Sequence, residues 1–260
     1  MLDARSGPPL TALITGAAAG IGAAFARALA REGYRLVLVD RNEELLRASA
    51  GSLGVECELV VADLTVEADV ARVEEWCGRV DLLVNNAGFG HRREFLETPV
   101  AEEVAMCRLQ TEVVLRLTMA ALPGMAGRGR GSVVNTASVL GFFPSSTYSA
   151  TKSWVVNFSL AAARSVRPSN VDVMALCPGF TRTDFHDSAR MDMSGIPKRL
   201  WLDADFLVAK ALRDLRKGKA LSVPGWQYKV IVACGRAVPL GLLQRVLTWT
   251  GKGSLAAREG

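Results

Sequence analysis

The segment TGAAAGIG, from Thr15 to Gly22, places three glycines within seven residues. It follows an apolar run and precedes a helical pattern, so the glycines stand in the turn between a predicted strand and a predicted helix. Glycines at Gly16, Gly20 and Gly22 allow a tight turn that approaches a pyrophosphate, which would rest on the first N–H groups of the helix. An ordinary glycine-rich turn is the alternative. Asp40 favours a nucleotide site, because it closes the next predicted strand 18 positions after Gly22, near the spacing of about 20 expected for a ribose-binding carboxylate.

Outward from this segment, short apolar runs alternate with longer helical patterns, and no proline- or serine-rich linker divides the chain. The predicted strands are Leu10–Thr15, Arg35–Asp40, Val55–Val61, Val80–Val84, Ser132–Thr136, Val171–Leu176 and Ala220–Val223. The predicted helices are Ile21–Glu32, Glu43–Ala50, Glu67–Cys77, Ala101–Leu122, Ser149–Val166 and Ala204–Lys217. The pattern predicts an α/β fold with a doubly wound parallel sheet of about seven strands and helices on both faces, in one domain over residues 1–260.

Composition and charge exclude several classes of protein. Half of the 260 residues are hydrophobic, which excludes a disordered chain. The net charge of +5 is uneven, since residues 1–200 carry 21 basic and 22 acidic side chains while residues 201–260 carry 10 and 4. No block of like charges suggests a nucleic-acid-binding arm, so we expect no nucleic-acid partner. The N-terminus lacks the apolar stretch of a signal peptide, and the apolar run Val230–Trp249 is too interrupted for a membrane span.

The cysteines and histidines predict neither disulfides nor a metal site. The five cysteines are scattered, odd in number and without a C-x-x-C pair, which is typical of a reducing compartment and favours a cytoplasmic protein. The two histidines, His91 and His186, lack companions that would complete a metal site. We expect His91 in an exposed loop, and His186 is a weaker candidate for lining a pocket.

Tyr148 and Lys152 are the candidate chemical centre, because residues four apart on a helix share a face. A tyrosine has an unperturbed pKa near 10, about three units too high for a base at neutral pH. A neighbouring ammonium favours the phenolate and brings that pKa toward the range in which acid/base catalysis works. Ser138 ends the preceding strand region and offers a hydroxyl to a substrate oxygen. A solvated helix face is the alternative, and the nearby nucleotide loop makes catalysis the stronger interpretation.

Several motifs in collinear order resemble the short-chain dehydrogenase/reductase family. They are TGAAAGIG, the NNAG of Asn85–Gly88, Ser138, the YSATK of Tyr148–Lys152 and the PGFTRT of Pro178–Thr183. The resemblance runs from about Thr11 to Phe185 and implies a Rossmann-like fold and hydride transfer between a nicotinamide and a carbonyl or alcohol carbon. It also implies that Tyr148 is the acid/base, that Lys152 lowers the Tyr148 pKa and bonds the nicotinamide ribose, and that Ser138 orients the substrate oxygen.

The same resemblance implies a set of cofactor-binding residues. They are Gly16, Ala18, Gly20, Ile21, Gly22, Asp40, Arg41, Asp63, Leu64, Asn86, Ala87, Gly88, Tyr148, Lys152, Pro178, Gly179, Thr181 and Thr183. By this resemblance Asp63 contacts the adenine, Thr183 the carboxamide, and Pro178 and Gly179 form the turn beside the nicotinamide ring. Asp40 favours NAD, because its carboxylate would repel the 2′-phosphate of NADP. Arg41 leaves NADP as the alternative, since an arginine there can bind that phosphate.

Two features depart from the family pattern. The position where the family carries an asparagine of the proton relay is Gln110 here, which keeps the amide and adds one methylene. The loop between Ser138 and Tyr148 is a few residues shorter than most members show, so the substrate-side wall differs. We count Gln110 with the catalytic set. A nucleotide-binding module without catalysis, used for regulation or partner binding, is the alternative function.

The C-terminal region from Trp226 to Lys252 mixes apolar and basic residues around Pro239. We expect this tail, within residues 226–260, to cover the substrate side, and its apolar character suggests a lipophilic alcohol or ketone as substrate. Packing against a neighbouring subunit of a homo-oligomer is one expectation for its outer surface. Peripheral contact with an anionic membrane is the other.

Overall fold

The computed structural model describes residues 9–91, 96–183, 197–238 and 241. The strands are β1 Thr11–Thr15, β2 Arg35–Asp40, β3 Cys57–Val61, β4 Leu82–Asn85, β5 Gly131–Thr136, β6 Val171–Leu176 and β7 Leu221–Ser222. The helices are α1 Gly20–Arg31, α2 Glu43–Gly51, α3 Glu67–Cys77, α4 Val100–Cys107, α5 Val113–Gly127, α6 Thr147–Val166, α7 Ala204–Leu215 and α8 Trp226–Ala237. Three short 3₁₀ segments are Val139–Phe142, Arg167–Ser169 and Lys198–Leu200.

The strands form one parallel sheet in the order β3-β2-β1-β4-β5-β6-β7. Ile14 of β1 lies opposite Leu38 on one side and Val84 on the other. The chain therefore winds outward from β1 in one direction and from β4 in the other, and the crevice at the carboxyl ends of these two strands is where open α/β sheets bind ligands. The predicted Rossmann-like sheet of seven strands is confirmed.

Two hydrophobic cores cover the two faces of the sheet. Successive side chains of a strand point to opposite faces, and Ile14 accordingly joins one core while Leu13 joins the other. Helices α1 and α7 bury their apolar faces in the first core, which also receives Tyr228 and Val232 of α8. Helices α3 and α5 bury theirs in the second core. The continuous apolar runs of the strands are explained by this burial on both faces.

The helix predicted over Ala101–Leu122 differs from the structure. A π-helical turn at Arg108–Glu112 separates α4 from α5, and α5 continues through Pro123 to Gly127. A proline usually ends a helix because it removes a backbone N–H, yet Pro123 lies within α5. Met119, the residue whose carbonyl loses its helical partner to Pro123, is exposed.

All five cysteines are unpaired. Cys77 and Cys177 are buried in the cores, and Cys234 is exposed on α8. Among the residues described, no helix combines the length and the apolar character needed to cross a bilayer.

Candidate active site

The glycine loop joins β1 to α1 at the crevice of the sheet. Gly16 and Gly20 have φ angles of 65° and 57°, a region that side chains other than glycine rarely adopt. A Cβ on Gly22 would lie 1.9 Å from the carbonyl oxygen of Gly16, so only glycine allows the helix to start this close to the strand. Within the described part of the chain no side chain caps the N-terminus of α1. Its first N–H groups therefore remain suited to an anion such as a pyrophosphate.

Thr15 holds the glycine loop against the NNAG segment. Its hydroxyl oxygen accepts hydrogen bonds from the N–H groups of Asn86 at 2.9 Å and Ala87 at 3.0 Å. The Asn86 side chain donates in return to the Thr15 carbonyl at 3.1 Å. Sequence reasoning did not single out Thr15, although a hydroxyl at the last position of β1 is the signal for such a link. The two predicted cofactor segments are thus brought together at the carboxyl ends of β1 and β4.

Asp40, at the end of β2, is bonded to the glycine loop. One carboxylate oxygen accepts from the Ala18 N–H at 3.1 Å and the other from the Asn42 N–H at 3.0 Å. Asp63, after β3, accepts from both the N–H and the hydroxyl of Thr65, at 2.9 and 2.7 Å. Both acidic side chains predicted for the adenosine end are therefore fixed in place by backbone groups near the carboxyl ends of their strands.

A cavity of about 150 Å³ runs along this edge of the sheet. Its walls are formed by Gly16, Val39, Asp40, Arg41, Ala62, Asp63, Leu64, Thr65, Ala87, Gly88, Phe89 and Leu109. Seven of the predicted cofactor-binding residues are among them, and the cavity reaches from the glycine loop to the NNAG segment. The flat adenine ring suits the aliphatic part of these walls, and the ribose hydroxyls suit the acidic side chains. Together with the start of α1, which no side chain of the described residues caps, this lining suits the adenosine and pyrophosphate part of a dinucleotide.

A capping box fixes the first turn of α6, which carries Tyr148. The Ser146 hydroxyl oxygen accepts from the Ser149 N–H at 3.1 Å, and the Ser149 hydroxyl oxygen accepts from the Ser146 N–H at 3.0 Å. The N–H groups of Ser146 and Ser149 are thus satisfied by side chains. The second residue of the helix is Tyr148, so its position depends directly on this cap.

Ser138, Tyr148 and Lys152 converge at the carboxyl end of β5. The Ser138 oxygen accepts a hydrogen bond from the Leu140 N–H at 3.1 Å, and its hydroxyl also bonds the Tyr148 phenol. The ammonium nitrogen of Lys152 lies 5.5 Å from the centre of the Tyr148 ring and donates to the Thr136 carbonyl at 2.9 Å. A hydroxyl, a phenol and an ammonium therefore lie together at this strand end. They adjoin the nucleotide cavity at Gly88, where an added Cβ would lie 3.7 Å from the Lys152 nitrogen.

Burial is the largest influence on the acidity of both titrating groups. It raises the pKa of Tyr148 to about 12, against a smaller lowering by the hydrogen bond from Ser138. Burial also lowers the pKa of Lys152 to about 8, which the neighbouring thiol of Cys177 partly opposes. Each shift favours the neutral form, as expected when a charge is moved out of water. The prediction that Lys152 lowers the pKa of Tyr148 is therefore wrong for this structure, because burial dominates and raises it. The phenol is protonated at neutral pH and can donate a proton, and the Lys152 ammonium titrates near pH 8.

Gln110 lies in the π-helical turn and is 1% exposed. Its side-chain nitrogen donates to the carbonyl oxygen of Phe89, and its side-chain oxygen accepts from the Thr151 hydroxyl at 2.9 Å. Thr151 also lies 2.8 Å from the carbonyl oxygen of Tyr148. Gln110 therefore connects the NNAG loop to the first turns of α6. Single π-helical turns are frequent at functional sites, yet no residue type in the sequence marked this one.

The turn after β6 closes the site on the other side. The Pro178 carbonyl accepts from the Val139 N–H at 2.9 Å, which ties this turn to the segment that follows Ser138. Thr181 donates to the Gly179 carbonyl at 2.9 Å. A Cβ on Gly20 would lie 3.1 Å from the Thr183 Cβ, so Thr183 lies against the glycine loop. The predicted cofactor residues of this turn therefore border the same crevice.

His91 lies in a loop as expected, but the expectation that it is exposed is wrong. Its side chain is 13% exposed and lies 3.7 Å from the Glu102 carboxylate. The ring packs edge-on against Phe89 with 5.4 Å between ring centres. An aromatic neighbour two residues earlier could have signalled this packing. His186 lies outside the described residues.

Comparisons with known proteins agree with this arrangement. The sequence model of the family described as short chain dehydrogenase matches residues 10–194, a span that contains every motif from the glycine loop to the Pro178 turn. Oxidoreductase UcpA of Salmonella typhimurium is 37% identical over 188 residues, which cover 68% of this chain and 72% of that protein.

Solved structures resemble the fold as a whole. A short-chain dehydrogenase from Sphingobium yanoikuyae in complex with NADPH is 33% identical with a TM-score of 0.80, covering 88% of this chain and 94% of that one. A bulky-bulky ketone specific alcohol dehydrogenase from Comamonas testosteroni is 30% identical with a TM-score of 0.76, covering 90% of this chain and 94% of that one. Both matches extend beyond the residues that the family model covers.

Proposed function

Because this chain belongs to the short-chain dehydrogenase/reductase family and is an oxidoreductase that uses a nicotinamide dinucleotide, we propose that it interconverts a lipophilic secondary alcohol and the corresponding ketone. The observation that carries the proposal is the convergence of Ser138, Tyr148 and Lys152 beside the nucleotide cavity. This convergence favours an enzyme over a nucleotide-binding module without catalytic activity. When bound, the nicotinamide supplies or accepts the hydride.

The proton is moved by the chain's own residues. In the direction of reduction, the neutral phenol of Tyr148 gives its proton to the substrate oxygen, which a pKa above neutrality supports. The Ser138 hydroxyl donates a hydrogen bond to the same substrate oxygen and holds that oxygen within reach of the phenol. The Lys152 ammonium lies close enough to stabilise the phenolate that remains. Gln110 keeps the NNAG loop and α6 in register with one another.

The cofactor is held along the crevice by the residues that the sequence predicted. We assign the adenosine end to Asp40, Arg41, Asp63 and Leu64, because they line the cavity of about 150 Å³. The pyrophosphate is assigned to the loop with Gly16, Ala18, Gly20, Ile21 and Gly22, whose helix N-terminus lacks a capping side chain within the described residues. The nicotinamide end is assigned to Asn86, Ala87, Gly88, Tyr148, Lys152, Pro178, Gly179, Thr181 and Thr183.

We propose NAD as the preferred cofactor. Asp40 places a carboxylate at the cavity, and its two oxygens are held by the Ala18 and Asn42 N–H groups, so the negative charge cannot turn away from a 2′-phosphate. Titration of NADH and NADPH against protein fluorescence is expected to give tighter binding of NADH, and Asp40→Ala should narrow the difference. Tighter binding of NADPH by the native chain would contradict the assignment of NAD and indicate that Arg41 binds the 2′-phosphate.

A lipophilic substrate is supported by two observations. Helix α8 brings apolar residues to the segment that follows Ser138, where Gly235 lies against Phe143. The similar structure from Comamonas testosteroni is named as specific for bulky-bulky ketones, which makes such ketones the first compounds to assay with this chain.

The unpaired cysteines favour a reducing compartment such as the cytoplasm. We further propose that each chain folds as one domain and assembles into a homo-oligomer. Residues 226–260 form a tail that can contact a membrane surface.

Replacing the phenol tests the proposed function. Tyr148→Phe is expected to lower kcat for a ketone by about 10²–10⁴, the usual contribution of a positioned acid/base. Binding of the dinucleotide should change little. Tyr34→Phe is the matched control, because Tyr34 is also buried but precedes β2 at the opposite end of the sheet. Unchanged turnover in Tyr148→Phe would contradict the assignment of Tyr148.

A further inference from the structure

Helix α8 contacts the turn beside the proposed nicotinamide site through Tyr228. This residue is 1% exposed, and its ring lies directly against Gly179. A Cβ on Gly179 would fall 2.0 Å from the Tyr228 Cζ atom, a separation that would require one of the two to move. The glycine at this position therefore leaves the space that the ring occupies.

The Tyr228 hydroxyl bridges two backbone segments. It accepts a hydrogen bond from the Phe180 N–H at 2.9 Å and donates to the carbonyl oxygen of Leu200. The same two segments also pair directly, since the Leu202 N–H donates to the Phe180 carbonyl at 2.8 Å and Thr181 forms a parallel bridge with Leu202. Tyr228 thus supplies a third link where these segments meet.

The other end of α8 contacts the segment that follows Ser138. A Cβ on Gly235 would lie 2.3 Å from Cε1 of Phe143, and the Arg236 guanidinium lies 6.0 Å from the centre of the Phe142 ring. One helix therefore packs against both segments that flank the reacting groups. The Val139–Pro178 hydrogen bond already joins these segments, so a shift of α8 is transmitted to the turn.

We infer that Tyr228 is a positioning residue of the active site, which holds the Pro178–Gly179 turn in place through its ring and its hydroxyl. The inference rests on the proposed function, because that function puts the nicotinamide beside this turn. Neither Phe nor Leu would replace Tyr228 fully. Phe keeps the ring and loses both hydrogen bonds of the hydroxyl, while Leu fills less of the space over Gly179. An error of about 1 Å in the position of a reacting group can cost a hundredfold in rate.

The chain has three tyrosines, at 34, 148 and 228, and their Phe variants form a matched set. The probes are NADH or NADPH, whichever binds the native chain more tightly, and the matching fragment without nicotinamide, ADP-ribose or its 2′-phosphate. Tyr228→Phe is expected to weaken binding of the reduced dinucleotide by about 3- to 10-fold, the usual effect of a lost hydrogen bond. Binding of the fragment should stay within about twofold, because the fragment does not reach the turn. Tyr34→Phe should change neither.

Two results would overturn the inference. Equal binding of the dinucleotide by Tyr228→Phe and the native chain would show that the hydroxyl does not position the turn. Equal weakening of dinucleotide and fragment would show a general loosening of the fold. The inference and the proposed function can fail separately. Tyr148→Phe tests the proposed function by turnover, whereas the role of Tyr228 is tested by binding measurements that need no turnover.

Gly179→Ala keeps the test open if Tyr228→Phe does not fold. Its added methyl group presses on the Tyr228 ring and removes no hydrogen-bonding group. We expect it to weaken binding of the dinucleotide selectively, and to do so less in the background of Tyr228→Leu, where the ring is absent. The same loss in both backgrounds would mean that Gly179 and Tyr228 act independently, which contradicts the inference.

Discussion

Lys152 is a cation held in a position that disfavours its charge. It is 5% exposed, and burial lowers its pKa from 10.5 to about 8. At neutral pH the folded protein must therefore either keep a poorly solvated ammonium or give up its proton. Such a residue reduces the stability of the fold, which is common where a site is arranged for chemistry.

Lys152→Met should therefore stabilise the fold while removing activity. At pH 7 the gain in free energy of unfolding is expected to be about 1–2 kcal/mol, less than the shift alone implies because the bond to the Thr136 carbonyl is lost. Between pH 8 and about 10 the unfolded lysine binds more protons than the folded one, so the stability of the native protein rises with pH. The advantage of the variant should shrink over that range.

Urea unfolding of both proteins at several pH values measures this difference directly. Groups that do not interact with Lys152, such as Cys77 with its raised pKa, contribute equally to both proteins and cancel in the comparison. A constant difference across the range, or a less stable variant at pH 7, would contradict the prediction.

At the scale of a single element, helix α6 depends on its cap. Ser146→Ala removes the acceptor of the Ser149 N–H and should cost about 1 kcal/mol, or about 2–4 °C in Tm for a chain of this length. Because Tyr148 lies in the same turn, kcat should fall with stability. Ser165→Ala is the control on the same helix, since its hydroxyl is exposed and bonds the Ala161 carbonyl of its own helix. Equal shifts of Tm in both variants would contradict a stabilising role for the capping box.

Most elements were predictable from the sequence because apolar runs end at clear turn signals. The bounds of β2, α3 and β6 agree with the predicted Arg35–Asp40, Glu67–Cys77 and Val171–Leu176. The π-helical turn was not predictable, since a change from i→i+4 to i→i+5 bonding leaves no residue signature. The convergence of Ser138, Tyr148 and Lys152 followed from strand ends meeting at one edge of a parallel sheet.

The contacts that position these groups were harder to foresee. Thr151 reaches Gln110 across 41 residues and Tyr228 reaches Phe180 across 48. Pairs so far apart depend on how helices pack, and neither spacing nor composition records that packing. The sequence also predicted that Lys152 lowers the pKa of Tyr148, whereas that pKa is raised to about 12 in the structure. The pKa of Lys152 is itself lowered to about 8, and both shifts follow from the depth of burial, which residue spacing does not record.

At the scale of the whole molecule, the outer face of α8 is apolar and the region around it is basic. Trp226 is 77% exposed, and Val230 and Ile231 are exposed on the same helix. Residues 201–260 carry 10 basic and 4 acidic side chains. An apolar face bordered by cations is typical of a helix that lies on an anionic membrane, where each cation contributes about 1 kcal/mol.

Flotation with liposomes distinguishes this contact from burial in a subunit interface. With anionic vesicles at low salt we expect part of the protein to float, and high salt or neutral vesicles should release it. Trp226→Ser should weaken flotation, whereas Leu45→Ser, which changes an exposed apolar residue of α2, should not. Protein that stays in the soluble fraction under all conditions would contradict the membrane contact and favour burial of the tail in a subunit interface.

The distribution of the thiols gives this enzyme a natural labelling site. Burial raises the pKa of Cys57, Cys77, Cys107 and Cys177, and a thiol reacts with maleimides through its thiolate. Cys234 is the exposed thiol of the five, so a brief reaction at neutral pH attaches one fluorophore per chain, on the helix that packs against the Pro178 turn. The emission of that fluorophore then reports dinucleotide or vesicle binding in real time, in a protein with no engineered cysteine.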